Sequence, residues 1–495
     1  MIRFRTPMPD SLLPLLPLIL DNVPPGLVRA LAQQGIPFRR RAAAPRGCPA
    51  EGRFVLFDSR SGPCRPLSYG QVALDVHPLR AGWDQDPFQT LLDERSARHR
   101  WQIAGLTVTE EIARVDRRAV RQKILAQLSA EIEQAGGIWL SVAAFPFPYR
   151  SALNFRIDYD HYDPADFDAT LDTLAGNEHA TSHFVNAAAY LPHDDAIRRL
   201  RGLDVGSHGF RHHTYLTEAE NLTNVRRGIE TLGVLGIEPS GFAAPHGRFN
   251  RGLLSALEQL HVGHSSEFGL AYDELPFFPH DGDVLQIPIH PVCLDLFLEA
   301  VRGDGPRRQA AVQQVVRTAI DYFRETARAK YRAGEPVFFY GHPTGGLGTY
   351  PQVLRSVFDT ADTFAAIWKT TLSKFAAWWR ARAEVRLSVV RQQDTFVVTA
   401  NQRPAGYRLG IEYWRGRHVA RMPLEGRVVQ FSPSALAYEN SAPRADIRPV
   451  RVDGPEGLRG RIRRWIDWER ETPIEEIETN NWRNWAKRTL RRLRQ

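Results

Sequence analysis

Short apolar runs recur along the middle of the chain, and amphipathic stretches separate most of them. The runs are LNFRID (153–158), ATSHFV (180–185), LDVGSH (203–208), SGFAAP (240–245), VGHSSEF (262–268), VLQIPI (284–289) and PVFFYG (336–341). Helical periodicity occupies 216–236, 249–260 and 306–333. Strands alternating with helices predict parallel strands joined by crossover helices, in a sheet or a barrel. In such folds ligands gather at the C-terminal ends of the strands.

The flanks read differently. Residues 1–145 predict an α/β domain of unknown role. It contains a strand at GRFVLFDS (52–59), a long amphipathic helix over 109–137 stopped by a Gly pair, and a strand at IWLSVAA (138–144). FPFPYRS (145–151) is a proline-broken linker. After a helix carrying Trp368, Trp378 and Trp379, polarity alternates at period two through VRLSVVRQQDTFVVTA (385–400) and YRLGIEYWRGRHVARMPLEGRVVQFS (407–432). That pattern predicts a small antiparallel β module over 385–455, ahead of a basic helical tail at 456–495. The expected organisation is therefore four consecutive segments: 1–145, 146–384, 385–455 and 456–495.

Composition narrows the classes. A chain of 495 residues with 43% hydrophobic and 24% charged residues is long enough for several cores, so no staple is required for folding. Cys48, Cys64 and Cys293 show no paired spacing, which argues against a disulfide framework and fits a reducing compartment. The net charge of +8 is carried almost wholly by arginine, which is scattered until the tail, and no nucleic-acid-binding motif is present. The apolar run Leu12–Leu20 holds Pro14 and Pro17 and lacks a small-residue cleavage site, so it is not read as a leader. No stretch reaches the roughly 20 apolar residues of a spanning helix. A cytoplasmic protein is expected.

Twelve of the 16 histidines lie between His161 and His290, inside the alternating region. The ends of the apolar runs carry the chemistry. Asp158 and Asp160 stand two apart and point the same way on an extended chain. His208 and His212 stand four apart, just before a helix that Thr217 and Glu220 can open with a capping box. APHGRFN (244–250) is a sharp loop, and His342 ends the last run. Two imidazoles and one carboxylate around a divalent ion leave positions open for water and substrate, which is the logic of a catalytic site. A second carboxylate could take the proton of water, and a histidine across the site could protonate a leaving group. Each piece alone has a bland alternative as a loop residue. Their order at successive run ends is what argues for a site.

That order resembles the NodB-type polysaccharide deacetylases, carbohydrate esterase family four, over about residues 146–383. FRIDYDH (155–161) is similar to the first motif of the lipid-linked aminoarabinose deformylases of the same superfamily. The resemblance implies a distorted (β/α)7-type barrel and one divalent metal, zinc first, with cobalt, nickel or manganese as alternatives. It implies Asp158 as general base and His342 as general acid. Asp160, His208 and His212 would be the metal ligands, and the His246 amide would hold the oxyanion. Several positions depart from the family pattern. Gly209 stands where Ser or Thr is usual, and His246 stands where an aromatic is usual. Ala243 replaces the third-motif arginine that orients the base; Arg248 or Arg156 could substitute. Glu267 is the candidate acid of the fourth motif, His290 rivals His342, and His213 rivals His212.

The implied activity is metal-dependent hydrolysis of an N-acyl group, acetyl or formyl, on an amino sugar of a glycan or lipid-linked glycan precursor. Two other readings stand: a non-catalytic glycan-binding or assembly protein on the same scaffold, for which the missing arginine speaks, and an amidohydrolase acting on a non-sugar amide. RNWAKRTLRRLRQ (483–495), with six basic residues and no acid, fits a peripheral helix on anionic lipid at the inner membrane face. It fits equally a solvated helix packed on the protein by its Trp residues.

Overall fold

The computed structural model describes residues 13–41, 52–77, 97–112, 117–267, 275–279, 282–301 and 306–440, with four residues of the tail. The expectation for the tail helix falls outside the described residues. Among the described residues no helix is long and apolar enough to cross a membrane. The chain divides into two units. One comprises 1–88, 118–150 and 377–443, and the other comprises 89–117, 151–376 and 444–495.

The second unit holds the alternating region. Strands β1 (Ser151–Tyr159), β2 (Thr181–Val185) and β3 (Val205–Ser207) pair in parallel. Phe242 bridges Ser207 on one side and Ser265 on the other, both in parallel. Strand β4 (His264–Ser265) pairs with β5 (Leu285–Gln286), and β6 (Val337–Gly341) pairs back onto β1. The His290 amide donates to the Phe338 carbonyl at 3.0 Å, which closes the circuit. The seven apolar runs therefore take seven successive places round a distorted parallel ring. It is distorted because the 242 position contributes a single bridge to each neighbour and the closure one hydrogen bond.

Strand β1 is buried along its whole length, yet its two faces differ. Leu153, Phe155, Ile157 and Tyr159 join the large apolar core with Phe167, Tyr190, Phe339 and Phe358. Each such burial contributes roughly 1.5–3 kcal/mol. Asn154, Arg156 and Asp158 face the other way. The Arg156 guanidinium donates to the carbonyl of Ser266, on a run elsewhere in the circuit, so this face lines the ring interior. A strand that ends in charge is thus a strand whose polar face is enclosed by the barrel, while its apolar face meets the helices.

The first unit has a parallel sheet of Phe38–Arg40, Leu18–Asp21, Phe54–Phe57 and Val72–Asp75, with the helix Pro25–Gln34 making the first crossover. Its antiparallel part pairs Leu387–Gln392 with Thr395–Ala400 and Val428–Phe431. A second antiparallel set pairs Leu409–Arg415 with both His418–Leu424 and Trp139–Val142. The last pairing explains why the units are not the consecutive segments expected. A strand before the barrel completes a sheet whose other strands follow it. Arg382 ties the same parts together, donating to the carbonyls of Ala143, Val142 and Gln33.

The helix expected over 109–137 begins later, at Arg117, and runs to Gln134. Leu106–Ile112 is instead a strand, paired in a hairpin with Ala97–Ile103. Ala104 and Gly105 both have positive φ, 48° and 81°, the backbone of a tight two-residue hairpin turn. This hairpin belongs to the barrel unit, where Trp101 packs edge-on against Phe297.

Candidate metal centre

Three loops at the C-terminal ends of β1, β3 and β6 carry the candidate residues. Asp160 follows β1, and the Asn186 side chain holds its carbonyl at 3.0 Å. His208 follows β3, and its Nδ1 lies 2.7 Å from the Ala243 carbonyl. A carbonyl can only accept, so Nδ1 carries the proton and Nε2 is left with its lone pair. The loop from Gly209 to His213 is pinned by Asn224 on the next helix, Glu218–Val234. Asn224 accepts from the Arg211 amide at 2.7 Å and donates to the Arg211 and His213 carbonyls at 3.0 and 3.1 Å. Thr217 and Glu220 form the capping interaction at that helix start. Gly209 has φ +84°, and a Cβ there would sit 2.7 Å from Asn224 Nδ2 and 2.9 Å from the Arg211 carbonyl. That explains why a hydroxyl residue is absent from this position.

These loops bring one ligating atom each of Asp160, His208 and His212 to within 4.8 Å of one another. His208 Nε2 lies 3.2 Å from Asp160 Oδ1, and His212 Nε2 lies 3.0 Å from Asp160 Oδ2. Asp160 Oδ1 is buried and makes no hydrogen bond. A lone pair of His208 thus faces a buried carboxylate oxygen with no proton fixed between them. A cation between the two relieves that repulsion, so the donor set fits a divalent ion. Burial disfavours the charge on Asp160, but His212 and His342 outweigh it. They hold its carboxyl well below the usual range.

Asp158 stands beside this cluster on the interior face of β1, only 2% exposed. Arg156 Nη2 donates to its Oδ2 at 2.6 Å. The guanidinium is itself fixed by Ser266 and lies over the rings of Tyr340 and Phe184, at 5.1 and 5.8 Å. Arg156 and Asp158 are two residues apart on one strand, which is why both point inward. Asp158 Oδ1 is buried and makes no hydrogen bond within the protein. Arg156 is thus an arginine that pairs with Asp158 from the same strand. Ala243 contributes its carbonyl to His208.

His342 ends β6. Its Nε2 is 3.6 Å from Asp160 Oδ2, and its Nδ1 is 2.7 Å from Asp295 Oδ2. Burial works against a charged ring, but Asp295 and Asp160 prevail and raise its pKa well above the ordinary histidine value. The loop beyond it is tied down by Asp166, which accepts from the Gly345 amide at 2.6 Å and from the Thr349 hydroxyl at 2.9 Å.

The remaining candidates separate. His290 is fully buried, with Nε2 2.8 Å from the Tyr322 hydroxyl and its ring edge-on to Phe339. It is His342 that approaches Asp160. His213 packs edge-on to Tyr215, while His212 faces Asp160. His246 adopts φ 57°, ψ 17°, and its half-buried ring lies 4.7 Å from that of His212. Arg248 is half-buried on the same loop. Glu267 is enclosed in the barrel, accepting from Ser265 and Gln286. Burial pushes its carboxyl up to about 7, against those hydrogen bonds. The acid that partners His342 is Asp295, which sequence reasoning missed. It follows His290 in the stretch HPVCLD, just inside the short helix Leu294–Leu298.

No protein-family model and no curated protein matches the chain. Solved structures match about half of it. A Mycobacterium smegmatis protein classed with the polysaccharide deacetylases is 18% identical, covering 50% of this chain and 96% of its own at a TM-score of 0.40. PuuE allantoinase is 18% identical, covering 48% and 93% at a TM-score of 0.40. A family 4 carbohydrate esterase from Streptomyces lividans, in complex with acetate, is 13% identical, covering 45% and 92% at a TM-score of 0.28. The chain is a mixed α/β protein, and these structures match one region of it, about half its length.

Proposed function

We propose that the chain is a metal-dependent hydrolase that removes an acetyl or formyl group from the nitrogen of an amino sugar, in a glycan or a lipid-linked glycan precursor. The observation that carries this reading is the convergence of Asp160, His208 and His212 at strand ends that also present Asp158 and His342. A divalent ion held there, zinc first by its preference for imidazole and carboxylate, would polarise an amide carbonyl and bring the pKa of water towards neutrality. Asp158, oriented through Oδ2 by Arg156, keeps Oδ1 to receive a proton from water. The His246 amide would stabilise the charge that develops on the carbonyl oxygen. His342, kept protonated by Asp295 and Asp160, delivers a proton to the departing nitrogen. The sugar rests on the motif order and not on a bound ligand.

The glycan-binding alternative drew its support from the missing arginine. Arg156 on Asp158 removes that support. The deciding experiment loads the protein with zinc or cobalt, offers N-acetylated and N-formylated amino sugars, and measures acetate and formate. Release that Asp158→Asn abolishes while the metal stays bound is the expected result. Bound metal without release of either acid, across free and lipid-linked substrates, would end this reading.

A further inference from the structure

We propose that Cys293, Asp295 and His342 form a second cation site, suited to soft divalent ions such as cadmium or excess zinc, whose occupation disables His342. One ligating atom of each residue lies within 4.8 Å of the others. The pair Nδ1 and Oδ2 of His342 and Asp295 is already 2.7 Å apart. Tetrahedral bonds of about 2.0–2.3 Å set neighbouring ligand atoms roughly 3.5 Å apart. A cation therefore needs that pair to open slightly and the thiol to swing inward. Thiolate, imidazole and carboxylate together select zinc-like and softer ions over magnesium or calcium.

Cys293 is 2% exposed, but the site has an access path. The side chains of His342 and Asp295 are 24% and 29% exposed. His342 stands between the two clusters, with Nε2 towards Asp160 at 3.6 Å and Nδ1 towards Asp295. When a cation takes the Nδ1 electron pair, the Cys293 thiol proton and the ring proton on Nδ1 pass to solvent. The ring can then hold only one proton, on Nε2, and no imidazolium remains to protonate a leaving group. Asp295 becomes a ligand and ceases to be the proton's partner. Binding at this site is independent of the hydrolase reading, whereas the inhibition rests on it.

The test uses the full-length chain with Cys48→Ser and Cys64→Ser, so that Cys293 is the one remaining thiol. Cadmium is titrated while the ultraviolet charge-transfer band of a cadmium thiolate is followed. The expected band saturates at one thiolate-bound cadmium per chain and survives His208→Ala, which removes a donor from the other cluster. Asp295→Asn should weaken the site by more than about tenfold, since even an outer-sphere partner's loss costs that much. No band at saturating cadmium in the folded protein overturns the site, as does a band whose midpoint Asp295→Asn leaves unchanged. If turnover is found, excess zinc should inhibit it, and Cys293→Ser should relieve that inhibition. Inhibition that Cys293→Ser leaves intact overturns the assignment of the effect to this cluster.

Discussion

Asp295→Asn isolates what the second carboxylate does to His342. The substitution keeps the shape and an oxygen that can accept, and removes only the charge. In the wild type the 2.7 Å contact is a charge-assisted hydrogen bond, worth about 1.5–3 kcal/mol against about 1 kcal/mol for a neutral one. The difference, about 0.5–2 kcal/mol, corresponds to roughly 0.4–1.5 pH units at 1.36 kcal/mol per unit. With both side chains about a quarter exposed, the lower part of that range applies. The direction follows from the charge. Asp295 raises the His342 pKa, so its loss lowers it. His342 must be protonated to act as the acid, so the alkaline limb of kcat/KM against pH should move down by about half a unit to one unit. Rates above the limb should fall by about three- to tenfold, with little change on the acid side. Folding stability carries the same sign. The contribution of His342 is full below about pH 6.5 and is lost as pH rises through its raised folded value. An alkaline limb that stays in place, measured on metal-loaded enzyme with equal occupancy, would refute the pairing as the source of the proton donor.

Other outcomes follow from the same contacts. Asp158→Asn should cut kcat by about 10²–10⁴-fold, the span of general base catalysis, with metal content unchanged by elemental analysis. Arg156→Met strands a buried carboxylate and should cost about 3–5 kcal/mol in denaturant unfolding; Arg156→Met with Asp158→Asn should cost clearly less than the two singles added. Glu267 is pushed up to about 7 from an ordinary value of 4.5. Its contribution to stability is therefore full below about pH 4.5 and lost as pH rises through about 7. Glu267→Gln should stabilise the protein at pH 8 by about 2–3 kcal/mol, and far less at pH 5, because the Ser265 hydroxyl can turn to accept from the new amide. Equal melting shifts at both pH values would contradict a buried, ionising Glu267.

The sequence carried the barrel because its information is local. Apolar runs bounded by Asp, His or Gly mark where each strand ends, and parallel strands put those ends on one rim. Asp158, Asp160, His208, His212 and His342 could be named for that reason. Arg156 was within reach of the same logic. Period two places it on the face of Asp158, but only the fold shows that this face is enclosed and that Ser266 waits opposite it. Asp295 gave no comparable signal. It follows a loop, and its relation to His342 spans 47 residues that only the closing of the ring brings together. The division into units was hidden for the same reason, since the register of Trp139–Val142 on Leu409–Arg415 joins distant parts of the chain. The strand at Leu106–Ile112 was lost to the amphipathic pattern that follows it. The paired positive φ at Ala104 and Gly105 is a turn signal that Ala hides.

The most direct measurement is a crystal structure of the cobalt-loaded protein, read at the cobalt absorption edge. One strong anomalous peak is expected within about 2.0–2.2 Å of an Asp160 carboxylate oxygen and of Nε2 of both His208 and His212. A peak elsewhere, or none at these three side chains under saturating cobalt, would contradict it.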